Sequence, residues 1–127
     1  MKIKQKIEIG SETHFIEINS QGTGNKAYID ADELIAAQRS LAVRILLERK
    51  HADDIQSEHI NFFINTSGMK VKEIAMYLAI DPALLSQWRK NKNISNIGWL
   101  SLRIFFLDLF QHGAITLDVL KKNHQAA

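Results

Sequence analysis

Hydrophobic and polar residues alternate along the first part of the chain, as they do in a strand that has one face in water. Ile3, Ile7 and Ile9 fall on one face, and lysines and a glutamate occupy the other. Gly10 and Ser11 offer a turn, after which the letters THFIEIN alternate again. The pattern predicts a β-hairpin over residues 2–19, then a loop and a short third strand at residues 26–29.

The spacing of apolar residues becomes helical from Asp30 onward. Asp30, with Glu33 three residues later, forms a variant of the capping box that begins a helix. The apolar stripe that follows contains Leu34, Ala37, Leu41 and Ile45. It predicts an amphipathic helix over about residues 31–50. A further helix, capped by Asp53 or Asp54, leads to Gly68, which is a natural helix stop.

Residues 69–92 carry the signals of two short helices joined by a tight turn. The first helix, over about residues 70–79, is indicated by an apolar stripe of Val71, Ile74, Ala75 and Leu78. Asp81 is a favoured N-cap and Pro82 suits the first helical position, so the second helix begins at Pro82. Leu85 and Trp88 share its buried face. Its outer face carries small or polar residues that suit the major groove of DNA, namely Pro82, Ala83, Ser86 and Gln87.

Positive charge is concentrated on the same segment. Only Glu73 and Asp81 oppose five cations there, which are Lys70, Lys72, Arg89, Lys90 and Lys92. Their placement at the beginning and the end of the helix pair favours contacts to DNA phosphates. The alternative is a helical hairpin whose cations form a solvated face, with no nucleic acid involved.

Residues 69–92 resemble the helix-turn-helix of the lambda-repressor-like family, which includes Cro, phage repressors and Xre proteins. The match runs without gaps through Ile74, Ala75, Leu78, Ile80, Asp81, Leu85 and Trp88. The resemblance implies that the first helix lies across the DNA backbone and that the second enters the major groove. Carried over by position, Pro82, Ala83, Ser86 and Gln87 face base edges. We expect Gln87 to contact adenine, and Pro82 or Ala83 to meet a thymine methyl group.

Two positions depart from the family pattern. The family often has glutamine, which contacts phosphate, where this chain has Val71. It often has glycine at the turn position that Ala79 occupies here. We expect one backbone contact to be weakened at Val71. We expect Ala79 to cost little, because the turn residue can stay near helical dihedral angles.

The richest apolar stretch is WLSLRIFFLDLF, residues 99–110. It is too short to span a membrane, and Arg103 and Asp108 interrupt it. A helix that is apolar nearly all round is buried on most sides, so one side packs on Trp88 and the helix pair. The surplus apolar surface leaves two interpretations, a homodimer interface or a core alone. A dimer is typical of helix-turn-helix proteins that bind double-stranded DNA. At most a short final helix is expected over residues 116–122.

Length, charge and the absence of cysteine bound the class of protein. A chain of 127 residues can form one core, or a core with a small subdomain. The net charge of +2 is mild, so DNA affinity depends on local clustering. Without cysteine there are no disulfides or thiolate metal sites, and a reducing cytoplasm is the default compartment. The first ten residues lack the apolar core of a signal peptide.

The order of parts is similar to that of MqsA-type antitoxins, which repress their own operons and neutralise a toxin partner. The similarity covers about residues 28–110 and rests on spacing. Those proteins bind zinc through N-terminal cysteines, which this chain lacks, so zinc is not expected. His51, Asp53 and Asp54 form a small cluster of residue types that can bind metal. Further ligands at suitable spacing are missing, so helix capping explains these residues better. The remaining histidines are scattered, and no signature of an enzyme or a cofactor site is present.

The sequence therefore predicts a mainly α protein with a small N-terminal β region and a lambda-repressor-like domain of about five helices. The expected parts are a hairpin region (1–29), a connecting helix (30–51) and a DNA-binding domain (52–127). The expected function is sequence-specific regulation of transcription, as a repressor of its own operon and with an antitoxin role as a refinement. The alternative is a module that binds a toxin or another protein without specific DNA binding. Lys2, Lys4 and Lys6 either solubilise an edge strand or reach phosphate.

Overall fold

Three strands and five α-helices make up the residues that the computed structural model describes, which are 2–21, 28–91 and 94–112. The strands are β1 (Lys2–Ile9), β2 (Glu12–Gln21) and β3 (Tyr28–Ile29). The helices are α1 (Ala31–Glu48), α2 (Ser57–Ser67), α3 (Val71–Leu78), α4 (Pro82–Asn91) and α5 (Asn96–His112). The predicted mainly helical chain with a small N-terminal sheet is confirmed in this coarse form. The predicted helix at residues 116–122 lies outside the described residues.

The strands form an antiparallel sheet in the order β1-β2-β3. Ile9 pairs with Glu12, which leaves Gly10 and Ser11 as a two-residue turn. Gly10 has a φ of 59°, and a two-residue hairpin turn needs a residue that tolerates positive φ. The hairpin and the third strand are therefore confirmed, with β3 reduced to Tyr28–Ile29.

Helix α1 begins where the sequence predicts. The Asp30 carboxylate accepts a hydrogen bond from the backbone N–H of Asp32 at 2.8 Å, so Asp30 is the N-cap. Leu41 and Ile45 of the predicted stripe are buried against the rest of the chain. The prediction for α2 was wrong at its start, because Asp53 and Asp54 do not cap it. They lie in a single 3₁₀ turn (Ala52–Asp54), and α2 begins at Ser57.

One cluster of buried apolar side chains joins the sheet to the helices. Ile9, Ile16 and Ile18 of the hairpin belong to the same cluster as the buried residues of α1 to α5. At its centre the Phe63 ring stacks on Trp99 with ring centroids 6.0 Å apart. Phe63 also contacts Phe106, with centroids 5.7 Å apart. The predicted boundaries after residues 29 and 51 stay a prediction.

Helix α5 packs across both α1 and the α3–α4 pair. The Arg103 side chain donates from Nε to the carbonyl of Leu46 at 2.6 Å, which fixes α5 against the end of α1. Tyr77 of α3 stacks on Phe105, with ring centroids 6.3 Å apart. An added Cβ at Gly98 would lie 3.0 Å from the Trp88 ring, which is tighter than an ordinary contact, so glycine favours the close approach of α5 to Trp88. The predicted packing of this helix on Trp88 is confirmed.

Candidate nucleic-acid interface

Helix α4 is anchored by its inner face and presents its outer face to solvent. The Asp81 carboxylate accepts from the backbone N–H of Ala83 at 2.9 Å, and Pro82 is the first helical residue, as predicted. Leu85 and Trp88 are buried, with 0% and 5% of their surface exposed. A partner can therefore bind the exposed face of α4 while the buried face stays packed on the core.

The four residues predicted to contact bases do not share one environment. Pro82, Ala83 and Gln87 are exposed on α4. Ser86 is half-buried and lines a cleft between α2 and α4. Lys90, which was predicted to contact phosphate, is exposed three residues after Gln87 and extends the same outer face.

The beginning of α3 carries the other predicted phosphate contacts. Lys70 and Lys72 are both exposed there. The Glu73 carboxylate accepts from the backbone N–H of Lys70 at 3.2 Å, which satisfies one free donor at the helix N-terminus. Val71 is half-buried and packs on the core. This position therefore serves packing and offers no polar side chain.

The turn between α3 and α4 differs from the expectation for Ala79. Its φ is 55° and its ψ is 43°, which is the left-handed conformation and not a near-helical one. The backbone N–H of Ile80 donates to the carbonyl of Ala75 at 3.0 Å, as in a Schellman motif. The left-handed residue is therefore required by the turn, and an alanine there carries steric strain that a glycine would avoid.

The described cations of this surface form no ion pairs with other described residues. Among the ion pairs of the described chain, none includes Lys70, Lys72, Arg89 or Lys90. Lys92, the fifth predicted phosphate contact, lies outside the described residues. The positive charge of the four described residues is therefore available to an external anion.

Arg89 has a partner that the sequence did not indicate. Its Nε donates to the Asn61 side-chain oxygen at 2.7 Å, and the Asn61 amide nitrogen donates to the backbone carbonyl of Arg89 at 3.0 Å. Asn61 lies on α2, 28 residues earlier in the chain. No pattern in the sequence links the two positions, since Asn61 looks like one more polar residue of an amphipathic helix.

A second polar cluster connects the hairpin to the helices. It brings together His14 and His59, so the prediction that the histidines are scattered was wrong for these two. The Glu12 carboxylate accepts from His14 at 3.0 Å, from Arg49 at 3.0 Å and from His59 at 3.1 Å. Partial burial alone would raise the pKa of Glu12. Hydrogen bonds from His59 and His14, together with the nearby positive charge, lower that pKa to about 2.

Both ring nitrogens of His59 are engaged in hydrogen bonds within this cluster. Its Nδ1 accepts a hydrogen bond from the backbone N–H of Gln56 at 2.8 Å, so Nε2 carries the proton and donates to Glu12. A metal bound at Nε2 would require the proton on Nδ1, where it would face that N–H. No group of three or more acidic, histidine or cysteine side chains in the described part of the chain is arranged to hold a metal ion.

The outer face of α5 exposes three large aliphatic side chains in the part of the chain that the structure describes. Ile97, Leu100 and Ile104 recur at helical spacing and are 79%, 49% and 58% exposed. Their spacing places them on one stripe, opposite the buried Trp99 and Phe106. The surplus apolar surface predicted for this helix is therefore present.

The outer face of the hairpin combines charge with one exposed aromatic ring. The Lys4 ammonium lies 5.8 Å from the centre of the Phe15 ring, and Lys6 pairs with Glu8 at 3.0 Å. These lysines are thus partly engaged within the hairpin.

Neither the apolar α5 nor any other described helix is long and hydrophobic enough to cross a membrane. Comparison of the chain with family models, with characterised proteins and with solved structures finds no match.

Proposed function

We propose that this chain is a sequence-specific DNA-binding regulator of transcription that uses α3 and α4 as a helix-turn-helix of the lambda-repressor type. The observation that carries the proposal is the outer face of α4, where Pro82, Ala83 and Gln87 are exposed near cations that form no ion pair among the described residues. An α-helix fits the major groove, and a glutamine can bind adenine there through two hydrogen bonds. A short face of small side chains with one glutamine, on an anchored helix, therefore suits base recognition.

The cations supply affinity and the α4 face supplies specificity. Lys70 and Lys72 mark the beginning of α3, and Arg89 and Lys90 the end of α4, so positive charge comes before and after the proposed base contacts along the chain. Phosphate contacts set the register of a protein on the duplex without choosing a sequence. A substitution on the α4 face should therefore change sequence preference, whereas a substitution of a cation should change affinity for all sequences.

We also propose that the regulator acts as a homodimer through the apolar stripe of α5. Ile97, Leu100 and Ile104 expose large aliphatic side chains that a monomer leaves in water. One helix pair reads only a few base pairs, and a two-fold dimer doubles the site. A repressor of its own operon is the simplest role for such a dimer.

A second candidate function is binding of a protein partner, such as a toxin, with or without DNA. The observation that favours it is a cleft of about 460 Å³ along α1, bordered by Ile35, Val43 and Phe110. Ile35 is itself 45% exposed. This face lies on a different helix from the proposed DNA contacts, so the two functions do not compete for residues.

The test is selection of bound sites from random duplex DNA, followed by two substitutions. Gln87→Ala should relax preference at one position of the selected site, at a cost of about 1–3 kcal/mol in discrimination. Lys70→Ala should weaken binding to all duplexes alike and lower the salt slope by about one.

A palindromic site with half-sites about one helical turn apart would support both the readout and the dimer. If no sequence is enriched, or if both variants bind as the wild type does, the regulator proposal is wrong and partner binding remains.

A further inference from the structure

We propose that the cleft between α2 and α4 binds one phosphate of the DNA backbone through Arg89 and Lys90, with Asn61 as the residue that positions Arg89. The inference rests on the proposed DNA-binding function and adds a defined anion site to it. It also gives α2, which carries none of the predicted contacts, a part in the interface.

The Asn61–Arg89 contact uses both functional groups of the asparagine. The side-chain oxygen accepts from Arg89 Nε at 2.7 Å, and the amide nitrogen donates to the Arg89 carbonyl at 3.0 Å. That carbonyl lies in the last turn of α4, where backbone acceptors lack helical partners. Asn61 therefore fixes the end of α4 and the direction of the guanidinium together.

The two terminal nitrogens of the guanidinium remain for a ligand. Among the described residues, the Arg89 guanidinium donates one hydrogen bond, to Asn61, and forms no ion pair with a carboxylate. Arg89 is half-buried, so its charge loses hydration without gaining a counter-ion. An anion at this point would supply the missing counter-charge.

The lining of the cleft selects the chemistry of that anion. The cleft has a volume of about 290 Å³ and is lined by Asn61, Ser86, Arg89 and Lys90. Two cations and a hydroxyl donor suit a phosphodiester oxygen, and they offer nothing to an apolar ligand or a cation. The neighbouring cleft on the other side of Asn61 is lined by Glu8 and Glu58, so the positive surface ends at Asn61.

The position of the cleft fits a phosphate that flanks the bases read by α4. Ser86 and Lys90 line it, one turn of α4 apart, and both are neighbours of the exposed Gln87 on the helix surface. A helix seated in the major groove has the sugar-phosphate backbone along its flank. Ser86 is accordingly assigned to phosphate, and Pro82, Ala83 and Gln87 remain as the base contacts.

The experiment measures binding of the full chain to a selected duplex in which single phosphates are replaced, one at a time, by neutral methylphosphonates. The wild type should show one position per half-site where the replacement weakens binding about tenfold, which corresponds to the loss of one charged hydrogen bond. The Arg89→Gln variant should bind the unmodified duplex about tenfold more weakly and show no further loss at that position.

Asn61→Ala tests the positioning role, and Asn65→Ala is its control on the same helix. Asn65 is exposed four residues later and does not line this cleft. Asn61→Ala should reduce the methylphosphonate effect at the one position while Lys70→Ala leaves it intact. Asn65→Ala should keep the wild-type response at every position. If thermal melting shows that Arg89→Gln is unfolded, Arg89→Lys replaces it as the test variant because it keeps the charge. Arg89→Lys should also lose most of the methylphosphonate effect at the sensitive position.

The outcomes separate the two proposals. If the wild type binds no duplex, the proposed function itself fails. If the wild type binds but Arg89→Gln and Arg89→Lys retain the full response to methylphosphonate, or if no single phosphate is sensitive, the cleft is not a phosphate site.

Discussion

Ala79 shows how a single side chain can oppose the geometry that its neighbours impose. The Schellman hydrogen bond from Ile80 to Ala75 requires a left-handed residue between α3 and α4, and Ala79 adopts it with a φ of 55°. Its Cβ then approaches the following carbonyl, which costs about 1–2 kcal/mol for a residue other than glycine. The strain is tolerated because both helices are held by buried side chains such as Ile74 and Leu85.

Replacing Ala79 with glycine should therefore stabilise the protein. We expect Ala79→Gly to raise the free energy of unfolding by about 1 kcal/mol, since relief of strain outweighs the added chain entropy of glycine. The measurement is urea denaturation at neutral pH. Ala75→Gly is the control, because Ala75 is a buried helix-interior residue and the same change there should destabilise. A destabilised Ala79→Gly would show that residue 79 is not left-handed in solution.

Helix α5 carries large apolar side chains on two faces, one buried in the core and one exposed. Trp99, Leu102 and Phe106 are completely buried on one face. The stripe of Ile97, Leu100 and Ile104 on the opposite face lies outside the core that the described residues form. This division explains why the apolar periodicity of α5 is weaker than that of α1 or α3: apolar residues occur nearly all round the helix.

Ile104→Glu should convert the proposed dimer into a monomer. A carboxylate in an apolar interface loses its hydration without a partner, so we expect at least a tenfold rise in the dimer dissociation constant. Analytical ultracentrifugation gives the oligomeric state, and DNA affinity should fall with it. Phe15→Glu is the matched control, since Phe15 on the hairpin is 54% exposed, close to the 58% of Ile104. A variant that stays dimeric, or a monomeric wild type, would exclude this face as the interface.

At the scale of the whole molecule, the Glu12 cluster and the shared core bind the hairpin to the helices. Glu12 lies on β2, Arg49 at the end of α1, and His59 on α2, so one carboxylate joins three elements. The Arg49 guanidinium also donates to the carbonyl of Asp54 at 2.7 Å, and its own carbonyl accepts from the Trp99 indole at 2.8 Å. The hairpin and helices should therefore unfold in one transition.

Glu12→Gln should destabilise the helices although Glu12 is in the hairpin. We expect a loss of about 1–3 kcal/mol in the free energy of unfolding at pH 7, measured by the fluorescence of the buried Trp88 and Trp99. Glu17→Gln, on the exposed face of the same strand, is the control and should change little. An unchanged tryptophan transition in Glu12→Gln would mean that the hairpin folds independently.

The same variant should alter the dependence of stability on pH. The pKa of Glu12 is about 2 in the folded chain. It is about 4.3 for an unfolded glutamate. Because the folded value is lower, the ionised carboxylate stabilises the fold above about pH 4.3, and this contribution is lost as the pH falls toward 2. The difference between wild type and Glu12→Gln should shrink over that range, and a constant difference would contradict the cause given for the pKa shift.

Local signals in the sequence determined much of this protein. The Gly10 turn, the Asp30 and Asp81 caps and the inward face of Leu85 and Trp88 were all predicted correctly, because each depends on residues within one or two turns of one another. The outer face of α4, and hence the candidate base contacts, follows from the same short-range periodicity.

Only the tertiary structure decided the contacts between residues that are distant in the chain. Arg89 meets Asn61 across 28 residues, and Glu12 meets Arg49 and His59 across 37 and 47. A single sequence carries no periodicity that links such positions, since the distance along the chain does not constrain which polar side chains meet. The left-handed angle of Ala79 was missed because the packing of α3 against α4 imposes it over the preference of alanine itself.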